Sequence, residues 1–462
     1  MDKLNIKVDL NNVGRLVKEN DEFIFLYTSE NIKDFISLIM PVRQKPYIHN
    51  KLHPIFEMHL PEGYLLSIIK KHFSKLQKTD DFGLLNIMSS SINGRISYET
   101  DFIKIANNLT LDDLLHPKSD TLFDELVNKF ALNSALSGVQ PKVLATIENK
   151  ATLKIDDYIV KSWGEDYQEL ALNEYYCMKI VKLSNIDVPE FFISDDEKLF
   201  IMKRFDKIED RYIGFEDMCV LMGKQRDDKY EGSLEQIVKT IKTFVSSQHK
   251  KSSLVQFFKM TYLNYRLKNG DAHLKNFGLI YNGIDDIKLA PAYDVVSTVV
   301  YIKNDIPALL LLGSKKWWDK KYLEKFGIQT CSLTNKEVEN AIFECENSIN
   351  IVREELLKRL KLENNKNKKE VLEIRNDVKS VINTVTIESG KQRKIQLEIA
   401  NRVYKLLPEP QPDLSNDDIK IMTRKMFSGL HKDLRNKFLV STYKDIKIID
   451  YEEALEFIRE WV

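Results

Sequence analysis

Cysteine is scarce, with four in 462 residues: Cys177, Cys219, Cys331 and Cys345. They are widely spread and none stands in a CxxC spacing. That argues against a disulfide framework or a zinc site and fits reduced thiols in a cytoplasmic protein. Charge of one sign is also lacking, with 69 basic against 69 acidic residues, so no bulk field points to nucleic acid. Long apolar runs are missing too. The longest purely aliphatic one, Ala308 to Leu312, is far too short to span a membrane. The opening Met1-Asp2-Lys3-Leu4-Asn5 carries no apolar signal core, and no internal repeat is visible. What remains is 43% hydrophobic and 30% charged. That is a soluble globular chain with material for about two to four domains.

The strongest signal is Asp271-Ala272-His273-Leu274-Lys275-Asn276. An aspartate, four residues, then an asparagine is the spacing of a protein-kinase catalytic loop. There the carboxylate accepts the proton of the attacking hydroxyl and the asparagine holds magnesium. Phosphoryl transfer asks for positioning and charge neutralisation, and oxygen ligands supply both. Upstream, Ser252 or Ser253 is expected to cap a helix whose apolar face holds Leu254, Phe257, Phe258, Thr261, Tyr262 and Tyr265. Asn269-Gly270 is expected to stop it, so that Asp271 opens a loop. Downstream, Phe277 to Tyr281 and Ile287 to Ala290 read as strands joined by a hairpin turn at Asn282-Gly283. Asn276 at the entrance and Asp294 past the exit then bring two metal-binding oxygen groups to one end of a small sheet. Any one of these residues alone would serve as an ordinary turn residue. The ordered set points to chemistry.

Residues 1 to about 115 read as a mixed α/β module. Leu4 to Val8 and Phe23 to Tyr27 look like strands, Asn11-Asn12-Val13-Gly14 like a turn, and Gly63 to Phe73 like a helix. His49, His53 and His59 lie close together, but no acid accompanies them at zincin spacing and Pro54 interrupts any helix. Surface or packing roles are favoured there over metal binding. From 116 to about 206 the chain carries nucleotide-side features. A helix from Thr121 to about Asn133 leads to Ser137-Gly138-Val139-Gln140-Pro141-Lys142, whose backbone N–H groups could lie on phosphates. With one glycine, a plain connector fits as well. Val143 to Ile147 and Tyr158 to Lys161 read as strands. In the next helix Glu174 lies on the apolar stripe of Leu170, Cys177, Ile180 and Val181. A carboxylate facing a core needs a partner, and Lys161 is the natural candidate. Val188 to Ile193 and Leu199 to Met202 read as strands around a turn at Asp195-Asp196. Lys203 to Asp206 would link a β-rich lobe to a helical one, a usual place for adenine.

Read together, these pieces resemble the HipA family of kinases. Ser137 to Lys142, Ile159-Val160-Lys161, Asn173-Glu174-Tyr175-Tyr176, Arg204-Phe205-Asp206, Glu216-Asp217, Gly270 to Phe277 and Ala292 to Ser297 occur in the family's order, with Leu60-Pro61-Glu62-Gly63 upstream. The resemblance runs to about residue 362. It implies an α+β, two-lobed protein-kinase-like fold. Its parts would be an N-terminal α/β module (1–115), a nucleotide-binding β-rich lobe (116–206), a helical catalytic lobe (207–362) and an added, mostly helical C-terminal segment (363–462). It implies a serine/threonine protein kinase using ATP and Mg2+, and the toxin of a toxin–antitoxin pair. The implied partners are a small helix-turn-helix antitoxin, DNA only through that antitoxin, and a protein substrate such as an aminoacyl-tRNA synthetase; no membrane is implied. It assigns catalysis to Asp271, as base, and Lys275, and magnesium to Asn276 and Asp294. It assigns the nucleotide to Lys161, Glu174, Ser137, Gly138, Val139, Gln140, Lys142, Arg204, Phe205 and His273. Two departures matter. Lys203 stands where members often have an acid, and Ala135 where some have a phosphorylatable serine, which leaves Ser134 and Ser137 as candidates for self-phosphorylation.

Beyond 363 no counterpart is recognised. Asn364 to Lys369 reads as a polar, basic linker. Helices to Ile387 and from Lys391 to Leu406 precede a stiff connector, Pro408 to Pro412. A helix over 416–437, a strand over 445–449 and a helix over 451–461 complete the chain. Partner contact, dimerisation and plain packing fit this segment equally. Two other functions stay open. Asp271-Ala272-His273 with Asn276 also fits small-molecule phosphotransferases of the aminoglycoside and choline type. A catalytically silent corepressor is the second, opposed by the intact set Lys161, Asp271, Asn276 and Asp294.

Overall fold

Leu4, Ile6 and Val8 turn alternate side chains inward and begin an antiparallel sheet. A computed structural model describes residues 2–60, 80–89, 92–99, 110–118, 142–149, 154–162, 167–366, 389–407, 416–447 and 450–462. The first sheet holds β1 (Asp2–Val8), β2 (Asn11–Glu19), β3 (Glu22–Tyr27), β4 (Tyr47–His49) and β5 (Ile96–Tyr98), in the order β4-β3-β2-β1-β5. The turn expected at Asn11 to Gly14 is instead the start of β2. The chain reverses earlier, at Asp9 and Leu10, whose φ angles of 48° and 70° are left-handed. Gly14 is a strand residue. A Cβ there would meet Leu26 O at 2.6 Å and the Phe25 ring, so its missing side chain serves close packing.

Helix α1 (Asp81–Met88) packs Phe82, Leu84 and Leu85 into the core of this module. The same core takes in Tyr158, Val160, Leu199, Ile201 and Val220 from the following region. Module and nucleotide-side sheet are therefore joined by one apolar interior. The helix expected over 63–73 lies outside the described residues, as do the helix expected from Thr121 and the loop 134–141.

The second sheet holds β6 (Lys142–Asn149), β7 (Lys154–Lys161), β8 (Phe191–Ile193) and β9 (Phe200–Lys203), in the order β6-β7-β9-β8. Helix α2 (Leu170–Leu183) lies between β7 and β8 in sequence and buries Glu174 with its apolar stripe. A two-residue ribbon, β10 (Lys207–Ile208) and β11 (Arg211–Tyr212), leads to a third sheet. That sheet is β12 (Gly214–Asp217), β13 (Gly278–Tyr281) and β14 (Ile287–Leu289). Tyr281 pairs with Ile287, so the expected hairpin forms, with its connection over 282–286. In β12, Glu216 is fully buried. It accepts the Ser37 hydroxyl at 2.6 Å, the Leu38 N–H at 2.8 Å and the Tyr281 hydroxyl at 2.6 Å. This carboxylate ties the N-terminal module to the sheet of β12, β13 and β14.

Helices α3 (Leu234–Phe244) and α4 (Ser247–Arg266) follow β12. Helix α4 starts earlier than Ser252, with Ser246 at its cap position. Ser253 lies within it, and its Oγ accepts the Leu289 N–H at 3.1 Å, fixing the helix to β14. The helix ends at Arg266, and the left-handed residue beyond it is Lys268 (φ 57°), ahead of the Asn269-Gly270 stop expected. Helix α5 (Asn335–Lys366) continues through Asn364 to Lys366, where a linker was expected.

The chain divides into two units, Met1–Val352 and Arg353–Val462. The second has its own apolar core. Helices α6 (Ser389–Leu406), α7 (Asn416–Phe438) and α8 (Tyr451–Glu460) contribute Ile395, Ile399, Val403, Leu430, Leu434, Leu455 and Ile458. Of the strand expected over 445–449, Asp445 closes a 3-10 turn, Tyr443–Asp445, and residues 448–449 lie outside the described residues. The segments to Ile387 and from Pro408 to Pro412 lie outside the described residues. No described helix is long and apolar enough to cross a membrane.

Candidate active site

Lys161 ends β7 and is almost wholly buried. Its Nζ lies 2.5 Å from Glu174 Oε1 of α2 and 2.5 Å from Asp294 Oδ1. Burial alone would strip the lysine of its proton. The carboxylates of Asp294 and Glu174 outweigh it and hold Lys161 above the ordinary lysine value. Both contacts follow from local pattern: the strand puts Lys161 on the inner face, and the helical period puts Glu174 on the buried stripe.

Asp294 stands past β14 with a left-handed backbone, φ 60°. An aspartate tolerates that conformation better than most residues. Asn276 Nδ2 donates to Asp294 Oδ2 at 3.0 Å. The other amide atom, Asn276 Oδ1, is buried and has no hydrogen-bond partner among the described residues. A buried acceptor without a donor beside a carboxylate suits a cation, and an all-oxygen set suits a hard one such as magnesium. Asn276 and Asp294 are the residues that could hold it.

Asp271 opens the loop after α4. Its N–H donates to Asn269 Oδ1 at 3.2 Å, and the Tyr230 hydroxyl donates to its Oδ1 at 2.7 Å. His273 Nε2 is 4.0 Å from the same carboxylate oxygen. Lys275 is half-buried, and its carbonyl accepts the Tyr293 hydroxyl at 2.8 Å. The loop is braced from below. The Gly270 N–H donates to Thr298 Oγ1 at 2.7 Å, and that hydroxyl donates to the Asp305 carboxylate. A side chain at Gly270 would collide with Asp305.

Phe205 stacks on Tyr293, with ring centroids 5.4 Å apart, and meets Phe215 edge-on. Together they make an apolar wall beside the hinge. Arg204 turns its guanidinium to Asp206 and to the Asn93 carbonyl. Ser137, Gly138, Val139 and Gln140, with Ser134, lie outside the described residues; Lys142 begins β6. His49 and His53 face each other at 5.0 Å between ring centroids, and His59 bonds the Tyr98 hydroxyl at 2.8 Å. Burial pushes His59 down to about 4, as expected of a packing histidine. No group of three or more His, Cys, Asp or Glu side chains that could hold a metal ion occurs among the described residues. Trp317 and Trp318 are half-buried and donate to the carbonyls of Asp305 and Leu311, which fixes the loop between them.

Several contributors were given no role in the sequence reading. Asn173 clasps the backbone of Ser297 from both sides, donating to its carbonyl at 3.0 Å and accepting its N–H at 2.9 Å. Its place one residue before Glu174 was a usable signal. Thr298, Asp305 and Tyr230 carry no local signature.

A family model described as the HipA N-terminal domain matches residues 4–99, and one described as the HipA-like C-terminal domain matches 134–352. An ORF6C domain model matches 357–462. "Putative kinase Y4dM" of Sinorhizobium fredii is 26% identical over 312 residues, 62% of this chain and 72% of that protein. A Haemophilus influenzae protein of the same kinase description is 32% identical over 208 residues, 39% of this chain and 59% of that protein. A chain in the Shewanella oneidensis complex of HipA, HipB and operator DNA superposes with a TM-score of 0.59 at 16% identity, over 92% of this chain and 96% of that one. That likeness shows the fold, α+β and kinase-like. Both HipA domain models match in order, the second spanning Lys161, Glu174, Asp271, Asn276 and Asp294, and the chain belongs to the HipA family of kinases.

Proposed function

We propose that this kinase is a Mg-ATP-dependent serine/threonine protein kinase, the toxin of a toxin–antitoxin pair, acting on a translation component such as an aminoacyl-tRNA synthetase. The observation that carries the chemistry is the double pairing of Lys161 with Glu174 and Asp294. A lysine held between two carboxylates, one of them beside Asn276, is the arrangement that places a nucleotide's phosphates against a metal site. Asp271 takes the proton of the acceptor hydroxyl. Lys275 stands four residues on, beside the transferred group. Lys161 meets the α- and β-phosphates while Glu174 holds it in place. Asn276 and Asp294 hold magnesium, which supplies charge neutralisation when bound. The wall of Phe205, Phe215 and Tyr293 lies where adenine would rest.

The Shewanella oneidensis complex contains HipB and operator DNA. It supports a small helix-turn-helix antitoxin as the partner here, with DNA reached through it; the cytoplasm is the proposed location. Ser134 and Ser137 are proposed as self-phosphorylation sites, Ser134 first. Labelled-phosphate transfer from γ-labelled ATP in a whole-cell extract tests the reading. One labelled protein band, absent with Asp271→Ala, is expected. Label confined to small molecules would favour the aminoglycoside- or choline-type phosphotransferase, and no transfer at all a silent corepressor.

A further inference from the structure

Tyr230 ends the 3-10 turn Arg226–Tyr230, and its hydroxyl donates to Asp271 Oδ1 at 2.7 Å. Its ring meets the edge of His273 with centroids 5.1 Å apart, and its carbonyl accepts Lys315 Nζ at 2.9 Å. The far end of the turn is held by the N-terminal module. The Arg226 N–H donates to Glu57 Oε2 at 2.7 Å and its guanidinium to Asp81 Oδ1 at 2.9 Å. Gln225 Nε2 donates to the Leu52 carbonyl at 3.3 Å. Reciprocal bonds between Gln225 and Asp228 brace the turn itself.

We propose that Tyr230 is a positioning residue for Asp271, and that the turn Arg226–Tyr230 carries the seat of the N-terminal module to the catalytic loop. The inference rests on Asp271 being the proton acceptor. The Asp271 side chain is 42% exposed, so packing alone does not hold its rotamer. A base must be oriented toward the hydroxyl it serves, and a misplacement of about 1 Å can cost about 100-fold in rate. A phenol wedged against His273 has few rotors and sets the plane of the carboxylate. It donates its hydrogen, so the carboxylate oxygen it meets faces a donor and not a competing acceptor. The module thereby acts on a loop whose assigned catalytic residues it does not supply.

The test uses the full chain, γ-labelled ATP at varied concentration and a fixed whole-cell extract, with initial rates read from the labelled band. Tyr230→Phe should lower kcat about 10- to 100-fold and leave the ATP KM within about two-fold. Its melting temperature should match wild type, because the ring and its packing are kept. Arg226→Ala should lower kcat in the same direction, Arg226→Lys should recover part of it, and the double variant should be no slower than Tyr230→Phe alone. Wild-type kcat in Tyr230→Phe, or losses that simply add, overturns the inference and leaves the kinase reading standing. Absence of labelling by wild type removes both.

Discussion

Lys161 Nζ and Asp294 Oδ1 lie 2.5 Å apart, although 133 residues separate them in the chain. The same ammonium serves Glu174, which is fully buried. One lysine thus compensates two carboxylates drawn from a strand-flanked helix and a loop. Replacing it by alanine removes that compensation from the fully buried Glu174 and from the partly buried Asp294. Lys161→Ala should cost about 3–5 kcal/mol of stability, and Lys161→Met combined with Glu174→Leu should regain much of it. Urea unfolding of the three proteins decides this; an unchanged midpoint in Lys161→Ala would refute it.

Asp271 and Asp294 should fail differently. Asp271→Ala should reduce phosphoryl transfer by about 10²–10⁴ while Mg-ATP still binds, because the base acts on the hydroxyl. Asp294→Ala should also weaken Mg-ATP binding, since it removes a metal ligand and one partner of Lys161. Calorimetric titration of both variants with Mg-ATP separates the two roles. Full transfer by Asp271→Ala would show that the loop is wrongly assigned.

Glu57 links the module to the turn Arg226–Tyr230, and it should make stability depend on pH. Burial raises its carboxyl from 4.5 to about 7, against the opposing pull of the Arg226 N–H and guanidinium. Between those values the folded chain keeps a proton that the unfolded chain has released. The contribution is therefore full below 4.5 and is lost as pH rises through about 7. It amounts to about 3 kcal/mol at most. Glu57→Gln does not titrate. Relative to it, wild type should lose stability from about pH 5 to about pH 8. A constant difference would mean that Glu57 stays ionised against Arg226 throughout.

The C-terminal unit should fold without the rest. Its core of Ile395, Ile399, Val403, Leu430, Leu434 and Ile458 is separate from the others. A fragment over 357–462, the ORF6C match, should give a cooperative, helical thermal transition. A chain truncated after about residue 362 should stay soluble and bind ATP. Loss of soluble expression in that truncation would show that the segment is integral to the kinase.

The meeting of Asn276 with Asp294 was legible because the two flank a hairpin, which brings its entrance and exit to one end of a small sheet. Glu174 was legible because a lone acid on an apolar stripe demands a cation. The Tyr230 contact was not, since nothing within a charged 3-10 turn signals a partner 41 residues away. The misread turn at Asn11 to Gly14 has a plain cause. Asn and Gly favour left-handed backbone, but here Asp9 and Leu10 take it and the strand pairing overrides propensity. The hairpin around Asn282-Gly283 was legible, because turn residues between two apolar runs mark a reversal, and Tyr281 pairs with Ile287 as those strand ends require. The ends of α4 depended on Ser246 and Lys268, ahead of the stronger Ser and Gly signals that follow each of them.

The buried Glu216 has a consequence on the ribosome. Its partner Ser37 lies 179 residues earlier. At about 5–20 residues per second, Ser37 leaves the tunnel roughly 10–40 s before Glu216 does. By then β5 has long emerged and the module's first sheet can close, while the seat that joins it to β12 still lacks its acceptor. The first sheet is thus complete early, its core then takes in Tyr158, Val160, Leu199 and Ile201 as they emerge, and the Ser37 seat closes only when β12 arrives. A ribosome that stalls in that interval releases a sheet with an open seat and no kinase behind it.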